Sequence, residues 1–241
     1  MEIKSNTSIG EIVRQNFKTA KIFEDLNIDF CCGGDISLTE ACKKSNIDIN
    51  KILPVLNLMM DVNDPDSKYL DGLSLERLCD YIVDRHHTYV NENIPFLLQN
   101  LKKLCDVHGE NHHELFEIKE HFETAAGNLS MHMKKEEQTL FPYIRNLEKN
   151  KSEAVENTFE SGKFHDLLNE IDNEHLAEGE RFLKISKLTQ NYSCPPDGCN
   201  TYQLTFKSLK EFEQDLHRHI HLENNILFKK AIELENNTKQ E

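Results

Sequence analysis

The chain has 241 residues, with 28 Lys and Arg against 42 Asp and Glu, for a formal net charge of −14. An acidic surface of that size repels phosphate backbones and anionic lipid, which excludes nucleic acid and membrane surfaces as expected partners. Charged residues at 29%, only 9 Gly and no Trp fit a helical protein whose core is built from Leu, Ile, Phe and Met.

The start, Met1-Glu-Ile-Lys-Ser-Asn, lacks the basic-then-apolar pattern of a secretory leader. No run approaches the roughly 18 apolar residues of a spanning helix, so a cytoplasmic location is expected. The seven cysteines, at 31, 32, 42, 79, 105, 194 and 199, lack the spacing of a disulfide framework and are expected as thiols. Cys42, Cys79 and Cys105 fall in apolar helical patterns and are expected as small core residues.

Residues 1–60 are expected to form a small helical domain. Ser8 with Glu11 predicts a capping box at the head of a helix carrying Ile9, Ile12, Val13 and Phe17. A second short helix carries Ala20, Ile22, Phe23 and Leu26, and the breaker-rich loop Asn27-Ile-Asp-Phe-Cys-Cys-Gly-Gly-Asp35 follows it. Ser37-Leu-Thr-Glu40 predicts a second capping box, and a last helix runs from about Asp48 to Met60. The polar, Pro-containing stretch from Asp61 to Ser67 predicts a linker, which extends over 61–73.

The rest, 74–236, predicts an antiparallel up-down-up-down four-helix bundle. The expected helices span about 74–106, bent at Pro95, then 112–149, 157–191 and 201–235, with breaks at Val107-His-Gly-Glu-Asn, Asn150-Lys-Ser and 193–200. No strand-like alternation of any length is present.

Each of the four carries a histidine on its apolar stripe. Val83, His87, Val90 and Ile94 share one face; Leu129, His132, Glu136, Leu140 and Tyr143 share another. Leu168, Ile171, His175, Gly179 and Phe182 form the third stripe, and Phe212, Leu216, His219, Glu223 and Ile226 the fourth. His132-Met-Lys-Lys-Glu136 is repeated in outline by His219-Ile-His-Leu-Glu223, and a His and a Glu four apart lie on one helix face. A single histidine on an apolar face is usually an ordinary core residue. Two carboxylates buried beside imidazoles need a cation, because an unpaired buried carboxylate costs several kcal/mol. Thiolates are absent from these faces, so the donor set disfavours a structural zinc site and suits two non-haem iron ions, oxo- or hydroxo-bridged, with open positions for a small gas ligand. His86 and His221 are expected in an outer or surface position, His121 and His165 on the surface, and Glu174 as an outer hydrogen-bond acceptor.

The motifs Arg85-His-His87, Met133-Lys-Lys-Glu-Glu-Gln-Thr-Leu-Phe-Pro142, Glu174-His175 and His219-Ile-His-Leu-Glu-Asn-Asn-Ile-Leu-Phe228 resemble the hemerythrin-like cation-binding domain. Asp29-Phe-Cys-Cys-Gly-Gly34 resembles the signature of the small N-terminal domain of the repair-of-iron-centres family. The resemblance spans nearly the whole chain. It implies a di-iron centre held by His87, His132, Glu136, His175, His219 and Glu223, with the glutamates bridging. It also implies repair of iron–sulfur clusters damaged by nitrosative or oxidative stress, by iron donation or by reduction of nitric oxide to nitrous oxide. Damaged iron–sulfur proteins and the gases nitric oxide and oxygen are then the partners, with homodimerisation left open. A module that reversibly binds or senses oxygen or nitric oxide is the alternative. Cys31 and Cys32 are expected as redox thiols: adjacent cysteines bridge each other only with strain, and the amides of Gly33, Gly34 and Asp35 would lower a thiol pKa. The loop from Cys194 to Cys199 carries one more cysteine than the family pattern.

Overall fold

A computed structural model describes residues 2–150 and 161–238. The fold is all-α; among the described residues the sole β feature is an isolated antiparallel bridge between Ser8 and Ser37. Among the described residues, no helix is long and apolar enough to cross a membrane. The chain divides into two compact units, one of Met1–Cys79, Ile144–Glu156 and Arg218–Glu241, the other of Asp80–Tyr143 and Asn157–His217.

In the first unit, α1 (Ile9–Gln15), α2 (Ala20–Asp25), α3 (Leu38–Lys44), α4 (Ile49–Met60) and α5 (Pro65–Asp71) follow one another. The Ser37–Glu40 capping box forms in full. The one expected at Ser8 does not: Ser8 makes no side-chain cap bond. Its neighbours instead join the 36–38 segment, as Ile9 N–H donates to Ile36 C=O at 3.0 Å and Leu38 N–H to Thr7 C=O at 2.9 Å. Helix α1 also stops before Phe17, because Asn16 leaves helical geometry and its side chain accepts from Lys18 N–H to start a separate 3₁₀ turn. The stretch expected as a linker carries α5, and it is pinned: Phe17 N–H donates to Asp64 Oδ2 and to Ser67 Oγ, both at 2.9 Å.

The second unit is built on the long helices α7 (Thr88–His108), α8 (Glu114–Lys135), α10 (Ser161–Leu188) and most of α11 (Asn200–Leu222), with only 109–113 between α7 and α8. Short connections make sequential helices antiparallel neighbours. Helix α7 continues through Pro95. The expected break at 150–152 and helix start at 157 fall largely outside the described residues. Phe122, Phe182 and Phe212 form the aromatic centre of this bundle, with Phe122 and Phe212 edge to face at 5.3 Å and Phe182 stacked on Phe212 at 5.7 Å. All three are buried. Phe212→Ala removes the ring common to both pairs and is expected to cost about 3–5 kcal/mol, read as the shift in the urea-unfolding midpoint.

The uninterrupted helices expected at 74–106, 112–149 and 201–235 need one correction. Each contains a five-residue π segment: Val83–His87 between α6 (Leu75–Ile82) and α7, Glu136–Leu140 between α8 and α9 (Phe141–Asn150), and Glu223–Leu227 between α11 and α12 (Phe228–Thr238). A π turn inserts one residue into the 3.6-residue period and widens the turn, and such turns cluster at functional sites. Here the segments end on His87 and begin on Glu136 and Glu223. The wider turn lets neighbours point inward together, so His86 and His87 are both buried, where a regular helix would set them about 100° apart.

Candidate metal centre

His87, His132, Glu136, His175, His219 and Glu223 are all buried, and both glutamates are 0% exposed. The ligating atoms of His132, Glu136 and His175 lie within 4.8 Å of one another. Glu136 turns one oxygen towards each of two imidazoles: Oε2 is 3.3 Å from His87 Nε2 and Oε1 is 3.4 Å from His132 Nε2. On α11, His219 Nε2 lies 2.9 Å from Glu223 Oε1.

The outer face of the cluster decides which ring nitrogens face inward. His87 Nδ1 lies 2.7 Å from Glu137 Oε1, and His132 Nδ1 lies 2.8 Å from Glu174 Oε2. An ionised carboxylate can only accept, so each Nδ1 carries the proton and each Nε2 keeps its lone pair towards Glu136. Lys135 reaches the other oxygen of Glu174 at 2.5 Å. The hydrogen bond from His132, helped by Lys135, holds the Glu174 carboxyl down to about 2. His87 is further fixed by a stack on Phe141, with ring centroids 5.8 Å apart and planes at 17°. His132 Nε2 and His175 Nε2 approach to 3.1 Å. His87, His132, His175 and Glu136 bring imidazole nitrogens and carboxylate oxygens together, a donor set that suits a metal cation such as iron.

Glu174 takes the acceptor role expected of it, on His132. Glu137 was missed, although the doublet Glu136-Glu137 on a widened turn is a signal for it. His86 is not peripheral: it is buried, with Nδ1 3.0 Å from Asp215 Oδ1. His221 is likewise buried, between Phe17 and Phe30, and burial pulls its imidazole down to about 3, so it is neutral. His121 sits near Glu117 and is only partly exposed.

The Cys-Cys-Gly-Gly loop departs from its expected electrostatics. Of the amides expected to stabilise a thiolate, that of Gly33 donates to Asp29 Oδ2 at 2.9 Å instead, and Cys31 and Cys32 N–H donate to Oδ1 at 3.0 and 2.9 Å. Cys31 is buried, and its hydrogen bond with Cys32, together with that burial, pushes its thiol well above the ordinary range. The two sulfurs are 3.8 Å apart. Asn225, on the π segment beginning at Glu223, donates from Nδ2 to the carbonyls of Phe30 and Cys31 at 3.2 and 3.1 Å. This ties the loop to the helix that carries His219 and Glu223.

Residues 79–231 match the family model described as the hemerythrin HHE cation binding domain. The chain belongs to that family. Within the hemerythrin HHE family this chain also carries, over residues 5–59, a match to a domain described as being of unknown function, DUF542. It is 30% identical over 224 residues to the iron-sulfur cluster repair protein ScdA of Staphylococcus epidermidis, covering 92% of this chain and 96% of that protein. A Staphylococcus haemolyticus protein of the same name is 30% identical over 230 residues, covering 95% and 99%. The iron-sulfur cluster repair protein YtfE of Yersinia pestis is 31% identical over 227 residues, covering 94% and 97%. The six buried His and Glu side chains thus lie in a cation-binding domain of a hemerythrin HHE protein.

Proposed function

We propose that this protein holds two iron ions on His87, His132, Glu136, His175, His219 and Glu223, and that it repairs iron–sulfur clusters damaged by nitrosative or oxidative stress. The observation that carries the iron assignment is the fully buried Glu136, which turns one oxygen to His87 and the other to His132, as suits a bridging carboxylate. The repair role rests on the names of the relatives, which align along nearly their whole length. The reading keeps two domains, a small one over 1–60 and a hemerythrin-like one over 74–236.

Iron bound there supplies exchangeable positions for a small gas ligand and one electron per ferrous ion, enough with two protons to join two nitric oxide molecules into nitrous oxide and water. The chain does the rest. Glu137 and Glu174 hold the imidazole tautomers, and Phe141 fixes the His87 ring. Cys31 and Cys32 serve as thiols that relay electrons from their loop, held by Asn225 on the metal-bearing helix. Damaged iron–sulfur proteins are the partners, reached by iron donation or by removal of nitric oxide.

Iron content and the visible spectrum of the purified protein test the first half. Two irons per chain, lost in parallel with the absorption on chelation, are expected; a folded, colourless, iron-free protein from iron-replete cells overturns it. For the second half, the reduced protein is mixed with nitric oxide while headspace nitrous oxide is followed, and separately with a cluster-depleted dehydratase. Recovery of dehydratase activity is the expected result. A stable nitrosyl signal with neither product nor recovery would establish a sensor instead.

A further inference from the structure

The segment Cys194-Pro-Pro-Asp-Gly-Cys199 plays no part in the metal cluster, yet it is built with care. Gly198 N–H donates to Pro195 C=O at 2.9 Å, closing a turn over 195–198. Cys194 and Cys199 are the residues that flank this turn. A Cβ on Gly198 would overlap Cys194 Sγ, so the glycine leaves the room in which that sulfur lies beside the residue preceding Cys199. Both cysteines are free thiols; Cys199 is exposed and Cys194 half-buried.

Two histidines from the α7–α8 connection reach this turn. His108, the last residue of α7, places Nε2 3.3 Å from Cys199 Sγ. His112 places Nε2 3.1 Å from both oxygens of Asp197 and Nδ1 3.0 Å from Glu114, which anchors the turn to that connection. Cys199 also precedes the first turn of α11, its carbonyl accepting from Gln203 N–H at 3.0 Å. The His108 hydrogen bond, then the Tyr202 and Thr201 amides, pull the Cys199 thiol down to about 7. Burial raises Cys194. One sulfur is therefore an available thiolate at neutral pH and its neighbour stays a protonated thiol.

We propose that Cys194 and Cys199 form a reversible dithiol–disulfide couple that exchanges with low-molecular-weight disulfides, with Cys199 as the attacking thiolate and Cys194 as the resolving thiol. Cys199 attacks one sulfur of the disulfide, forming a mixed disulfide and releasing the other half as a thiolate. Cys194 then loses its proton and attacks Cys199 Sγ, forming the Cys194–Cys199 bond and releasing the second half. Two protein sulfurs are oxidised and one small disulfide is reduced to two thiols, one of which takes the Cys194 proton. The turn sets the two cysteines at its two ends, and the bond needs their Cα atoms about 4.4–6.8 Å apart. His108 lies at the far end of the 21-residue α7 from His87, a length of about 30 Å at helical rise. The couple is thus a second redox site, chemically independent of the His/Glu cluster, and it stands whether or not the iron assignment does.

The experiment uses the full-length chain as purified, with its metal. Incubation with oxidised glutathione followed by peptide mapping should show Cys194 linked to Cys199, reversed by dithiothreitol. Cys194→Ser should stop at a glutathione mixed disulfide on Cys199. Iodoacetamide labelling of Cys199 should titrate with a midpoint near 7, and His108→Asn should move that midpoint upward. At pH 7 the thiolate fraction falls about fiftyfold when a thiol returns from about 7 to its ordinary value of 9.0. Higher intrinsic nucleophilicity offsets that about tenfold, so labelling should slow roughly fivefold. A wild-type map in which the two thiols survive, or stop at the mixed disulfide, overturns the proposal. So does a Cys199 labelling midpoint in wild type at the ordinary value, a reading that needs no variant to fold.

Discussion

Glu223→Gln is expected to empty both metal positions, whereas His175→Ala is expected to leave one filled. The difference follows from the sharing of ligands. In the proposed centre Glu136 and Glu223 bridge both ions, while each histidine binds only one. Gln keeps the volume and one acceptor oxygen but removes the charge that offsets the cations, so iron should fall below one per chain in Glu136→Gln and in Glu223→Gln. Glu137→Gln is the graded control. It replaces the acceptor on His87 Nδ1 without touching the cluster, and outer partners of this kind are worth about 10–100-fold in metal affinity. Iron per chain by elemental analysis, after dialysis against a chelator of known strength, separates the cases. Equal losses in the glutamate and histidine variants would falsify the shared-carboxylate arrangement. The same ions should stabilise the fold: at a thousandfold excess over Kd, binding adds about 4 kcal/mol, and stripping the metal should lower Tm by roughly 8–16 °C.

Gly10→Ala should destabilise the protein in one background and stabilise it in another. In α1 an alanine gains about 1 kcal/mol of helix propensity over glycine. Here the added Cβ would overlap Asn225 Oδ1, at the side chain that donates to Phe30 and Cys31. Displacing that amide combines overpacking with two lost hydrogen bonds on buried carbonyls, roughly 2–4 kcal/mol in all. In Asn225→Ala that overlap is gone and only the Gly34 carbonyl, 3.2 Å from the added Cβ, has to give by a few tenths of an ångström, so adding Gly10→Ala should recover part of that roughly 1 kcal/mol rather than cost more. Chemical unfolding of the four proteins in the cycle measures the sign. Additive losses would mean that α1 and the cysteine loop do not press on Asn225. Thiol labelling gives a second readout: releasing Asn225 should expose Cys31, which is buried in the intact protein.

The α-helical class and the facing histidines were legible because both are local. Apolar residues at helical spacing define a face whatever lies opposite, and His132 with Glu136, or His219 with Glu223, sit one turn apart on such a face by helix geometry alone. The Ser37 capping box was legible for the same reason and formed. Its twin at Ser8 was equally legible and failed, because the backbone around Ser8 found a partner at 36–38 that sequence proximity could not announce. The π segments escaped for a related reason. Reading stripes at 3.6 residues per turn assumes an unbroken period, and an inserted residue is betrayed only by oddities such as the buried doublet His86-His87.

Amino-acid order alone thus determined a helical protein with acid and imidazole groups on inward faces, since both depend on neighbours within one turn. Only the folded chain decided that Glu137 serves His87 and Glu174 serves His132, that Asn225 holds the Cys31 loop, and that His108 meets Cys199. Those pairs lie 50, 42, 194 and 91 residues apart. A hydrogen bond forms at about 3 Å and fails a few tenths of an ångström beyond its range, so which distant groups meet is fixed by packing and not by local pattern.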